Sequence, residues 1–227
     1  MGDDSRAGSS PRGPRPGIVF PRWTNRLREI SAVAAVGGLI YVVVLVTLVF
    51  GPDNSAIGYA PEQPVPYSHQ VHAGDLDIDC RYCHNTVEQG AKALIPPAAT
   101  CMNCHTTILP ESEKLAPVRR SFETGEPIRW VRVHDLPDFV YFDHSAHLNA
   151  GVGCVSCHGR IDRMEVVRQD KPLNMAWCLE CHRNPAGEIV PREAVTELAH
   201  ARDPEFGEVL VDEYDLTPAV DCSTCHR

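Results

Sequence analysis

From Ile30 to Phe50 the chain runs for 21 residues without a charged side chain, through AVAAVGGLIYVVVLVTLVF. A run that is apolar on every face predicts a helix about 31 Å long, enough to cross a bilayer. A cleaved leader usually has a shorter apolar core and a small-residue cleavage site. Here a full-length run meets Gly51-Pro52-Asp53, so the segment reads as a retained anchor. Elsewhere the apolar positions come in small groups broken by Pro, Gly and acidic residues. That pattern predicts short helical turns and loops, with few long periodic elements. Residues 191–201 (PREAVTELAHA) read as a short helix with Pro at its first position.

Charge adds an orientation. Arg6, Arg12, Arg15, Arg22, Arg26 and Arg28 precede the apolar run, against only Asp3 and Asp4 before Glu29, and the next basic residue after it is Arg81. The excess of arginine predicts a cytoplasmic N-terminus, with everything after the anchor on the outer side of a bacterial inner membrane. Three regions follow: a Gly/Pro/Ser/Arg-rich segment over 1–29, the anchor over 30–50, and a periplasmic domain over 51–227 that opens with a Pro/Gly-punctuated spacer, 51–65. A net charge of −9 excludes a strong nucleic-acid partner.

The chemistry lies in the cysteines. All ten fall into five Cys-x-x-Cys-His motifs: Cys80/Cys83/His84, Cys101/Cys104/His105, Cys154/Cys157/His158, Cys178/Cys181/His182 and Cys222/Cys225/His226. At i, i+3 on one helical turn, both thiols can form thioethers to one porphyrin while the next residue ligates its iron. Zinc sites do not need a histidine after each second cysteine, and a thioredoxin-like site carries a single pair. With 11 histidines in 227 residues, five matches by chance are rarer than roughly one in a million. The expectation is therefore five covalent c-type haems. About 35 residues of outer domain per haem is too little chain for a separate apolar core, so the porphyrins must supply most of it.

The motifs sit in an internal repeat. Residues 66–105 hold PYSHQVH, CRYCH and CMNCH; residues 140–182 hold VYFDHSAH, CVSCH and CLECH. Each half opens with aromatic-x-His-x-x-His and reaches its second motif through a Pro-containing loop; the motif at 222–226 is appended. Six histidines lie outside the motifs. The duplicated pairs His69/His72 and His144/His147 are the leading distal iron ligands, followed by His134 between two apolar stretches. In each pair the first histidine is expected to serve the nearest motif and the second a different haem. His200 reads as a solvated side chain on a polar helix. Met164 and Met175 are thioether alternatives whose plain reading is packing. With distal candidates for every iron, nothing points to an open coordination position. The chain reads as an electron carrier with no catalytic residue.

The aromatic-x-His-x-x-His, CxxCH and CMNCH pattern resembles the class III multihaem cytochromes. More narrowly, FPRWTNR, YAPEQPVPYSHQVHAGDLDIDCRYCH, VHDLPDFVYFDHSAH and CLECHRNP resemble the pentahaem membrane-anchored subunit of alternative complex III, over nearly all the chain after residue 18. The resemblance implies a class III-like fold of short helices and loops around five haems, with one transmembrane helix. It also implies a place in a quinol-oxidising respiratory complex. The partners would be an iron–sulfur subunit, integral membrane quinol-binding subunits and a monohaem cytochrome. Electrons would leave to a periplasmic carrier or a terminal oxidase. Two other classes remain: a membrane-anchored quinol dehydrogenase, usually with four haems, and a periplasmic multihaem reductase, which needs an open iron.

Overall fold

The computed structural model describes residues 20–50 and 56–226. The expected Gly/Pro/Ser/Arg-rich leading segment therefore lies outside the described residues up to residue 19, as do the first five residues of the spacer and Arg227. The chain divides into two compact units between residues 51 and 52.

In the first unit a 3₁₀ turn over Arg22–Arg26 leads into α1, Leu27–Phe50. The helix begins three residues before the apolar run, taking in Arg28 and Glu29. Its apolar side chains show no preferred face and stand exposed, Val33 and Leu39 among them. A helix apolar all round needs an apolar surrounding, and α1 is long and apolar enough to cross a membrane.

The second unit is built from short helices: α2 (Cys80–Cys83), α3 (Ala98–His105), α4 (Ala116–Thr124), α5 (His144–Asn149), α6 (Cys154–His158), α7 (Met175–Arg183), α8 (Pro204–Glu213) and α9 (Cys222–Cys225). Among the described residues, β-pairing is confined to two isolated bridges, Val140 with His226 and Val152 with Ile189. The apolar core is correspondingly thin. One cluster joins Val87, Leu148, Val190 and Val195; another joins Val65, Met102 and Val118, with Leu115, Ile128 and Trp130 packed against it. Meanwhile Leu76, Leu94, Ile108, Leu109 and Phe139 are exposed. So much uncovered apolar surface around so little core is what a fold organised on large flat apolar groups presents.

Close backbone contacts hold the short elements together. Gly207 of α8 lies against the carbonyl of Ala186, and Gly74 against that of Asp162, so a Cβ at either position would run into backbone. Residues 191–201 depart from expectation. Pro191 is extended (φ −51°, ψ 139°), and only Arg192–Ala194 form a 3₁₀ turn. The reason is tertiary. Val195 is buried, and its carbonyl accepts the Cys154 N–H at 2.8 Å instead of an N–H one turn onward. His200 consequently sits on no helix.

Candidate haem-attachment sites

Each CxxCH motif lies on its own short helix, which puts its two thiols on one side of one turn. Three of the five helices are capped by a side chain that accepts a backbone N–H. Asp79 accepts from Arg81 on α2, Asn174 from Trp177 on α7, and Asp221 from Thr224 on α9. Asp79 also accepts from the Arg81 guanidinium at 2.9 Å and from the Thr196 hydroxyl at 3.0 Å. Those bonds, led by the one from Arg81, hold its carboxyl at about 2, well below the usual range. None of the ten cysteines is in a disulfide, and among the described residues no three of His, Cys, Asp and Glu converge as they would on a bare ion.

The imidazoles are oriented one by one. Nδ1 of His72, His84, His105, His144, His147 and His182 lies 2.7–2.9 Å from the carbonyl of Ser68, Leu94, Ile108, Ala91, Asp143 and Ala219 respectively. A carbonyl only accepts, so Nδ1 carries the proton and Nε2 keeps a free lone pair. That is how metal-ligating histidines are held. Burial pushes His69 down to about 4, and it is also the main cause of the lowered values at His134, His147 and His158. These four are therefore neutral near pH 7, the state that ligates.

The repeat is visible in three dimensions. Tyr67 meets His69 edge-on at 4.9 Å and stacks on His72 at 4.5 Å; Phe142 meets His144 edge-on at 4.8 Å and stacks on His147 at 4.6 Å. In both halves the second histidine donates to the carbonyl four residues back. The same clamp has been built twice.

Ring spacing tests whether an iron fits between imidazoles. A metal–nitrogen bond of about 2 Å on each side, plus about 1 Å from nitrogen to ring centre, separates two trans imidazoles by about 6 Å. The His72 and His105 centroids are 6.1 Å apart, His147 and His182 6.0 Å, and His144 and His158 6.4 Å. His134 lies only 4.4 Å from His158, too close to share its metal. The His134 Nε2 and His69 Nδ1 atoms are buried without a protein hydrogen-bond partner, and a free Nε2 is what an iron would satisfy at His134.

The remaining candidates divide. Met164 is 2% exposed and Met175 64% exposed. His200 faces Glu197 at 3.5 Å. The orienting carbonyls left no trace in the sequence, because a main-chain acceptor has no residue type. Tyr67 and Phe142 did leave one, as the aromatic two residues before each histidine pair.

The family described as cytochrome c7 and related cytochrome c matches residues 140–227. The chain is also 30% identical over 188 residues to the menaquinone reductase multiheme cytochrome c subunit of Nitratidesulfovibrio vulgaris, covering 71% of this chain and 89% of that relative. The chain belongs to the multihaem cytochrome c family. A cytochrome of this family binds c-type haem covalently and transfers electrons, and the CxxC motifs that such attachment uses are present in this multihaem cytochrome. The family match takes in the second histidine pair and the last three motifs, α6, α7 and α9.

Proposed function

We propose that this multihaem cytochrome is the electron-transfer subunit of a quinol-oxidising respiratory membrane complex of the alternative complex III type. In this reading it is anchored by α1, with its five-haem domain in the periplasm. The observation that carries its electron-transfer part is the set of three imidazole pairs 6.0–6.4 Å apart, in which Nδ1 of His72, His105, His144, His147 and His182 lies against a carbonyl. On it, His72, His144 and His147 are the distal partners of His105, His158 and His182. His69 is assigned to His84, the proximal histidine of the motif that follows it most closely in the chain. His226, the remaining proximal ligand, takes its distal partner from among His134, Met164, Met175 and His200.

Bound c-type haems supply one-electron redox chemistry. The protein's part is to hold the imidazoles neutral, fix their tautomers and keep water from the iron axis. A haem held between two side chains of the chain would have no position left for a substrate, which favours carrying electrons over reducing a small molecule. The partners proposed are an iron–sulfur subunit, integral membrane quinol-binding subunits and a monohaem cytochrome, with a periplasmic carrier or terminal oxidase as acceptor. A second reading reverses the flow: the relative in Nitratidesulfovibrio vulgaris is named as part of a menaquinone reductase.

Purification of the tagged chain from solubilised membranes tests both. The proposal expects those partners to co-purify and a quinol analogue to reduce the haems. If quinone instead oxidises pre-reduced haems and quinol does not reduce them, the second reading holds. A chain that purifies alone and exchanges electrons with neither contradicts both.

A further inference from the structure

We propose that the five CxxCH units lie in a single unbranched row whose spatial order differs from their order in the chain. The row runs from the unit of His105 to that of His84, then to those of His158, His182 and His226. The inference rests on the haem reading above and adds which sites are neighbours and which are ends.

Four junctions define the row, each tied by contacts between consecutive units. At the first, the Asn103 side-chain amide inside one motif donates to the Tyr82 hydroxyl inside the other at 3.2 Å. The same junction is spanned by the first histidine clamp, since His72 lies 6.1 Å from His105 and, on the reading above, His69 serves His84. At the second, the Asp79 carboxylate, next to Cys80, accepts from the Thr196 hydroxyl at 3.0 Å, while the carbonyl of the adjacent Val195 accepts the Cys154 N–H at 2.8 Å. There one short loop also serves both halves, the Leu94 carbonyl accepting from His84 and the Ala91 carbonyl from His144. At the third, α5 reaches both ways, with His144 facing His158 and His147 facing His182. At the fourth, His182 Nδ1 donates at 2.7 Å to the carbonyl of Ala219, three residues before the last motif.

Exposure gives an independent sign of where the row ends. Eight of the ten cysteines are partly covered by protein; Cys104 and Cys222 are exposed, and these belong to the two units placed at the ends. The arrangement follows from the repeat. Each clamp carries its second histidine to the second motif of its own half, so the halves are left to meet through their first motifs, where Asp79 and Cys154 bond the adjacent residues Thr196 and Val195. The row is thus built outward from that contact, with the appended unit extending one arm. A partner that delivers electrons and one that removes them would then meet opposite ends, the units of His105 and His226. The unit of His84, first in the chain, lies inside.

The test is the set of iron–iron separations in a cryo-electron-microscopy map of the full-length, haem-loaded protein. The four shortest separations are expected to join the units of His105 and His84, His84 and His158, His158 and His182, and His182 and His226. The longest is expected to join those of His105 and His226. An iron of the His105 or His226 unit lying between two others would overturn the order while leaving the electron-transfer reading intact. Sites that carry no haem would overturn both.

Discussion

At the scale of single residues, six of the eleven histidines are set by a main-chain carbonyl that fixes the proton on Nδ1. His72 is the clearest case, donating Nδ1–H to Ser68 and facing His105 at 6.1 Å. His72→Ala should leave one iron five-coordinate. The expected result is one high-spin, carbon-monoxide-binding haem, with the pyridine haemochrome count unchanged from wild type. If every haem stays low-spin and silent to carbon monoxide, His72 is no ligand. Asp79 supports a different kind of test. It caps α2, and Asp79→Ala should cost about 1 kcal/mol of stability at neutral pH. Its folded-state value of about 2 is depressed below an unfolded value of about 3.9. Its electrostatic contribution is therefore complete above the unfolded value and is lost as pH falls through about 2. The gap in melting temperature between wild type and Asp79→Ala should narrow from pH 5 to pH 2; a constant gap would mean that the carboxylate charge contributes nothing. The CxxCH spacing and the duplicated aromatic-x-His-x-x-His made these residues legible in the sequence. Position along the chain assigns the first histidine of each pair to the nearest motif, but which ring the second one faces was not legible, because it depends on contacts between segments tens of residues apart.

At the scale of elements, short helices persist because side-chain caps and backbone contacts hold them, with little help from an apolar stripe. The packing of α8 on Ala186–Glu188 shows this, since Gly207 admits the Ala186 carbonyl where any Cβ would collide with it. Gly207→Ala should destabilise the protein by about 1–3 kcal/mol, the usual range for overpacking. Gly187→Ala, where a Cβ meets nothing within 4 Å, should leave the melting temperature close to wild type. Equal losses at both positions would show that the close approach is not what matters. Sequence pattern anticipated α1 because an uncharged run of that length has few alternatives. It also placed each motif on a helical turn. It failed at residues 191–201, where local signals favoured a helix but the Val195 carbonyl is committed to Cys154, a bond between residues 41 positions apart that no local window contains.

At the scale of the whole molecule, the second unit looks unfinished as a bare polypeptide, with small apolar clusters, exposed apolar side chains and buried imidazole nitrogens lacking protein partners. Covalent haems would complete it by covering the apolar surface and taking the free Nε2 atoms. The central claim is that every haem is held between two side chains of this protein, leaving no open iron. Electron paramagnetic resonance of the purified, oxidised full-length protein, quantified against a pyridine haemochrome count, tests it most directly. The account predicts five haems per chain, all giving low-spin signals. A substantial high-spin signal, or a count near three haems per chain, would contradict it.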